Sequence, residues 1–191
     1  MSTERPRRPA RRRDPEGRRR ALAAAALAVI ADVGIGRTTH RAVAERADVP
    51  LGATTYYFPA LTDLVAAAFE QADTDLGEEM RRWADHLGDG TDLPARLTHL
   101  ICEYLTDRGR ALTEIEMYLA AARSPELRAL ALSWVDQVHE VLTPLIGDQA
   151  ARTLVVFLDG VTLHHLATGR PVDATTVSAA VAALAGAHGR A

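Results

Sequence analysis

The stretch that most constrains the fold is residues 38–58, T-T-H-R-A-V-A-E-R-A-D-V-P-L-G-A-T-T-Y-Y-F. It reads as two short helices around a three-residue turn. Thr38 and Thr39 are N-cap residue types, and Ala42, Val43, Ala44 and Ala47 follow at helical spacing. Asp48 stands where the chain must leave the helix with positive φ, which Asp tolerates better than most non-glycine residues. Pro50 has no amide hydrogen and suits the start of a second helix over residues 51–57. Helix, tight turn and short helix make a helix-turn-helix, whose second helix can enter a DNA major groove. The same pattern also serves as a plain αα-hairpin inside a helical domain.

The surroundings of this hairpin decide between the two. Residues 18–33 form an amphipathic first helix, G-I-G-R-T-T breaks it, Y-Y-F closes the hairpin, and L-T-D-L opens a fourth helix. In this order the pieces resemble the N-terminal DNA-binding domain of the TetR/AcrR family of transcriptional regulators, over about residues 18–69. The resemblance implies an all-α protein of about nine helices. An N-terminal three-helix DNA-binding domain would be followed by a helical ligand-binding and dimerisation domain. Leu51 departs from the pattern where many relatives carry a polar or basic residue, and Leu61 where the family often has a phosphate-touching lysine. Backbone contact should therefore lean on other groups.

Charge agrees with a polyanion at one end of the molecule. All 22 basic residues are arginine, and they are unevenly placed. Residues 1–60 hold 12 Arg against 6 Asp and Glu, net +6, and residues 61–191 hold 10 against 19, net −9. Residues 1–17 read as a disordered arginine-rich arm: Arg5, Arg7, Arg8, Arg11, Arg12 and Arg13 are interrupted by Pro6, Pro9 and Pro15. Such an arm can reach along phosphates or into a minor groove, or serve only as a solvated tail. Residues 18–60 form the helix-turn-helix domain and 61–191 the second domain. The lone cysteine, Cys102, excludes an internal disulfide and a cysteine-rich zinc site, and a reducing cytoplasm is expected.

Arginines followed by A-L-A-A-A-A-L-A-V-I-A imitate a secretory leader. Leu22, Ala26, Val29, Ile30 and Val33 nevertheless share one helical face, and Gly34 ends the run, so a packed helix is expected. No later segment is long and apolar enough for a bilayer, and no membrane partner is expected.

Beyond residue 61 helix follows helix without a convincing strand. Thr62 is expected to cap helix four, which spans about 63–87 with Val65, Phe69, Ala72, Leu76, Met80 and Trp83 on one face. Helix five carries Leu97, Leu100, Ile101, Tyr104 and Leu105, and helix six covers about 111–123. Ser124-Pro125-Glu126 starts helix seven, with its stripe of Leu127, Leu130, Trp134, Val138, Val141 and Leu145. Helix eight follows Gly147, and helix nine carries Val177, Val181 and Leu184.

DNA contacts can be assigned by chemistry. Arg37, Thr38, Thr39 and Arg41, with His40 more weakly, suit phosphates at the start of helix two. In helix three, Thr54, Thr55 and Tyr56 can reach base edges or sugars. Leu51 and Ala53 offer apolar contact, and Gly52 allows close approach. One of Tyr56 and Tyr57 must pack inward, and either assignment is open. Helix three has no Arg, Lys, Asn or Gln, so DNA shape should supply part of the specificity.

In the second domain the candidates for a ligand pocket are Trp83, Tyr104, Glu114, Tyr118, Trp134, His139, Phe157 and His164. Tyr104, Glu114, Tyr118, His139 and His164 would orient a mainly apolar effector. Glu116 reads as a solvated face. His164 and His165 with Asp159 hint at a metal, but adjacent histidines point to different faces of a helix. No cofactor, metal or catalytic residue is implied. A homodimer is expected through helices eight and nine, by Val155, Leu158, Thr162, Leu166, Val177, Val181 and Leu184, with Gly160 and Ala180 allowing close approach. The reading that emerges is a repressor released from double-stranded operator DNA by a small effector. Two alternatives stand beside it: a non-specific nucleoid-type binder, and an all-helical enzyme using Glu114, Glu116 or His164.

Overall fold

A computed structural model describes residues 14–188 of the chain. Those residues form α1 Pro15–Val33, α2 His40–Arg46, α3 Leu51–Tyr57, α4 Leu61–Leu87, α5 Leu93–Tyr104, α6 Arg108–Arg123, α7 Arg128–Ile146, α8 Asp148–Thr168 and α9 Ala174–His188. There is no strand among the described residues, as the all-α reading requires. None of these helices is long and apolar enough to cross a membrane.

Local chemistry explains most boundaries. The Asp14 carboxylate accepts from the Gly17 amide at 2.9 Å and Pro15 occupies the first helical position, so α1 starts earlier than composition implies. Residues 15–17 are its first turn rather than part of the arm; Arg5 to Arg13 lie outside the described residues. The apolar run is used for packing: Leu22, Ala23, Ala25, Ala26, Val29 and Ile30 are buried, while Val33 is exposed. Asp48 turns the chain at φ 51° and Pro50 leads into α3. Three starts differ from expectation. Helix α4 begins at Leu61 with no side-chain cap, so Thr62 does not cap it. Asp107 caps α6 by accepting from the Arg110 amide at 3.1 Å, which starts that helix at Arg108. Pro125–Leu127 forms a single 3-10 turn before α7.

One continuous core runs from Leu22, Ile30, Val43 and Phe58 through Leu64, Phe69 and Leu76 to Leu97, Met117, Leu142 and Leu154. The most extensive helix contact is α1 on α4, which carries the first three helices on the start of the longest one. The second domain is closed by α5 on α9, α4 on α7 and α7 on α8.

Helices α8 and α9 require a correction. Val155, Thr162, Leu166, Val177 and Val181, expected at a seam between subunits, are buried in the chain's own core, and Leu158 and Leu184 are half-buried. The cause is that α9 packs on α5 as well as α8, turning its branched residues inward. The outward face of α8 instead carries Val156, 71% exposed, Gly160, Leu163, 48% exposed, and Ala167. These four recur at i, i+4, i+7 and i+11.

Candidate DNA-reading surface and ligand cavity

Helix α3 presents a narrow outward face. Leu51, Gly52, Thr55 and Tyr56 are exposed, Tyr56 to 79%, and Gly52 has open space where a side chain would stand. Tyr57 is half-buried against the core and meets Tyr56 edge to face, so Tyr56 is the outward tyrosine. Phe58 is fully buried beneath the guanidinium of Arg19, 4.2 Å from its ring, and Arg19 also donates to the Tyr57 carbonyl. That pair of contacts seats the first turns of α1 against the end of α3.

Two threonines proposed for DNA contact are not available to it. Thr54 is 0% exposed and donates to the Leu51 carbonyl at 2.8 Å. Thr38 is buried and donates to the Gly34 carbonyl at 3.0 Å. Each hydroxyl has satisfied itself on local backbone, the usual alternative for threonine in or beside a helix. Ala53 is half-buried. Thr39 is exposed and caps α2 by accepting from the Ala42 amide, leaving its hydroxyl hydrogen free for a phosphate. Arg41 is exposed and pairs loosely with Glu45 at 3.4 Å, and Arg37 is exposed with Nε on the Val33 carbonyl. His40 is half-buried, with an enclosed Nδ1 that has no hydrogen-bond partner.

Between this surface and the second domain lies a contact that the sequence did not announce. The Glu116 carboxylate on α6 accepts from the Ile35 amide at 3.1 Å, in the linker between α1 and α2. Gly34, at φ 79°, makes room for it, since a β-carbon there would come within 2.9 Å of Glu116 Oε1.

Two residues before Glu116, Glu114 points the other way, into a small cavity. The cavity is lined by Leu76, Met80 and Trp83 of α4, Ile101 and Tyr104 of α5, Trp134 and Val138 of α7, and Val155, Leu158, Asp159 and Thr162 of α8. Glu114 is 5% exposed and accepts from the Tyr104 hydroxyl at 2.7 Å, and the Tyr118 hydroxyl reaches Asp159 at 3.5 Å. Burial pushes the Glu114 carboxyl up to about 7, against the opposing Tyr104 hydrogen bond, and pushes Asp159 up to about 6. Burial also drives both tyrosines well above the usual phenol range. Trp83 stands edge-on to Tyr104 and is held by its indole N–H on Glu79 at 2.8 Å. The free space is about 50 Å³, room for a water or two but not for a drug-sized molecule.

Of the expected ligand residues, Trp83, Tyr104, Glu114 and Trp134 line the cavity and Tyr118 stands behind Asp159. His139 is turned to Asp148 and Thr143, His164 is exposed, and Phe157 is half-buried elsewhere in the core. Asp159, expected only beside the two histidines, lines the cavity. Its position within the Val155–Thr162 apolar stripe was the signal of an inward carboxylate.

Comparison with known proteins gives a consistent picture. Residues 22–68 match the family described as bacterial regulatory proteins, tetR family, and residues 88–187 match the tetracyclin repressor-like C-terminal domain. The chain is 28% identical over 169 residues to the HTH-type transcriptional regulator BetI 1 of Chromohalobacter salexigens, covering 82% of each. A TetR-family structure from Streptomyces coelicolor A3 superposes with a TM-score of 0.77 at 37% identity, over 87% of this chain and 97% of that one. The multidrug binding protein EbrR complexed with ethidium superposes with a TM-score of 0.78 at 38% identity, over 90% and 99%.

Proposed function

The chain belongs to the TetR family of bacterial regulatory proteins. On that premise we propose that it is a ligand-responsive repressor, binding operator DNA as a homodimer and leaving it when a small, mainly apolar effector fills the cavity. The reading head is residues 18–60 resting on the first turns of α4, and residues 61–191 bind the effector and dimerise.

The observation that carries this reading is the placement of α6. One carboxylate of that helix, Glu114, stands in the cavity, and another two residues on, Glu116, holds the Ile35 amide just ahead of α2. Any shift of α6 on ligand binding is therefore felt at the mount of the reading helices. Helix α4 offers a second route, from Leu61 beside α3 to Trp83 in the cavity. The tight cavity supplies the energetic asymmetry. A pocket for a drug-sized ligand needs roughly 300 Å³ or more, so the effector fits only an expanded arrangement. A ligand that binds one arrangement better shifts the population by its differential affinity and no further. EbrR, whose structures hold ethidium, proflavin and malachite green, supports an effector of aromatic, drug-like size.

The reading face of α3 meets bases through Leu51, Gly52, Thr55 and Tyr56, while Arg37, Thr39 and Arg41 engage phosphates. Affinity from so small a face needs two copies on half-sites about 34 Å apart or a multiple of that spacing. The outward stripe of Val156, Gly160, Leu163 and Ala167 supports a dimer seam on α8. The paired substitution Val156→Glu and Leu163→Glu is expected to give monomers in sedimentation; a surviving dimer moves the seam elsewhere.

A gel shift with DNA flanking the protein's own gene, with and without random competitor, tests the function. Retention under competitor is expected. Equal loss to random DNA would instead favour the nucleoid-type reading. Of the groups offered to an enzymatic reading, Glu114 is buried, Glu116 bonds the Ile35 amide and His164 is exposed on α8.

A further inference from the structure

We propose that α3 selects its DNA by the C5-methyl group of a pyrimidine, which Leu51 covers in the major groove. Thymine is the ordinary carrier of that methyl, and 5-methylcytosine presents the same one. This names the feature that the reading face takes from DNA and rests on the regulatory reading above.

The exposed residues of α3 are Leu51, Gly52, Thr55 and Tyr56, and none of their side chains carries a charge or an amide. Base pairs differ along the major groove in their donors, their acceptors and one methyl group. A hydroxyl rotates and can both donate and accept, so Thr55 and Tyr56 can satisfy a purine N7, a carbonyl or an amino group alike. The Thr55 hydroxyl also leans on the Gly52 carbonyl at 3.4 Å, and that of Thr54 is bonded to the Leu51 carbonyl inside the helix. Hydroxyls alone thus hold the helix against the bases with little power to tell one pair from another.

Leu51 has the strict preference that the hydroxyls lack. It is 49% exposed in the first turn of α3, the part of a reading helix that meets base edges. Against a methyl it removes apolar surface of both groups from water. Against an amino group or a carbonyl it strips water away and returns no hydrogen bond, which is a penalty. Gly52 beside it has open space where a β-carbon would stand, so the helix can sink until Leu51 reaches the base edge. Thr55 lies one turn on, at i+4, and extends the same face with a methyl of its own. The exposed Arg37 and Arg41 beside α2 engage phosphates and carry no preference among bases.

The probes are two enzymatic copies of the DNA flanking the protein's own gene, one with thymine and one with uracil throughout. The two differ only in the C5-methyl, and both are titrated by gel shift with and without random competitor. One buried methyl is worth about fourfold in affinity, so a dimer on two half-sites should bind the uracil copy about fifteenfold more weakly. Leu51→Ala changes an exposed residue and should leave the fold intact, while binding the two copies within about twofold of each other. With uracil placed one position at a time, one position in each half-site should carry the loss. A 5-methylcytosine–guanine pair at that position should bind more tightly than an unmethylated cytosine–guanine pair. Equal affinity for the two copies, an undiminished preference in folded Leu51→Ala, or no gain from 5-methylcytosine would overturn the proposal. If the uracil copy is retained under competitor as firmly as the thymine copy, the methyl assignment alone fails. If thymine is preferred but random thymine-containing DNA competes equally, the regulatory reading alone fails. Binding of neither copy overturns both.

Discussion

The two ends of this molecule put their candidate functional groups in opposite places. On α3 they stand outward, and the one buried residue, Thr54, has bonded its hydroxyl to its own helix. In the second domain the carboxyls of Glu114 and Asp159 are turned inward among Trp83, Tyr104 and Trp134. A surface that must meet a hydrated polyanion works through exposed donors. A cavity that must tell one small molecule from another works through desolvated groups, which gain much from the right partner and lose much without it. The reading face should therefore be nearly irrelevant to stability, whereas the cavity should hold the fold below its attainable stability.

The largest effect that could break this contrast lies in the head. Phe58→Ala removes a fully buried ring beneath Arg19 and should cost about 3–5 kcal/mol in denaturant unfolding. Tyr56→Ala, two residues away, should stay within about 0.5 kcal/mol of the parent while losing operator affinity. Similar melts for the two variants would mean that the reading face is structural after all.

Next comes the cavity, where the sign runs the other way. Glu114 has its folded value raised from 4.5 to about 7, so the folded protein holds that proton more tightly than the unfolded chain does. The stability contributed is fully present below about 4.5 and is lost as pH rises through about 7. Above that point the ionised carboxylate should cost on the order of 3 kcal/mol. Glu114→Gln should recover that amount at pH 8 and flatten the stability curve between pH 5 and 8. A variant less stable than its parent at pH 8 would contradict the uncompensated charge.

These two cases also show which features local chemistry reveals. The helix-turn-helix follows from near-neighbour rules: the left-handed Asp48, Pro50 before α3, and the bounds of α3 itself. Tyr56 and Tyr57 were indistinguishable because adjacent helix positions differ by 100° and only the packed neighbours decide which faces in. The same holds for Glu114 and Glu116. Glu114 is a pocket candidate and Glu116 reads as a wet face, but spacing alone does not say which points inward; one faces the cavity and the other bonds Ile35 across 81 residues of sequence. Helix α8 carries apolar residues on more than one face, interrupted by Arg152, Asp159, His164 and His165. The stripe starting at Val155, expected at the seam, is drawn into the chain's own core because α9 packs on α5 as well as on α8.

A smaller effect sharpens the link between the two regions. Glu116→Ala deletes the bond to the Ile35 amide, worth about 1.5 kcal/mol as a charged contact. It should leave ligand affinity of the free protein unchanged while weakening the ligand's hold over DNA release, read by gel shift at saturating ligand. Full release at parental ligand concentration would assign the coupling to α4 alone. Thr55→Val is the smallest change, a lost exposed hydroxyl on α3. It should weaken specific binding by about 1 kcal/mol and random-DNA binding by less. Parental operator affinity would remove Thr55 from the reading face.

The most direct test of the whole account is reciprocity between its two ends. A dye that quenches Trp83 and Trp134 is titrated into the free dimer and into the dimer saturated with operator, and operator affinity is measured with and without the dye. Operator is expected to weaken dye binding by the same factor as dye weakens operator binding, about 5- to 150-fold for a typical allosteric coupling. Equal dye affinity in the two titrations would leave a cavity that binds and a head that reads DNA, with nothing connecting them, and would contradict the account.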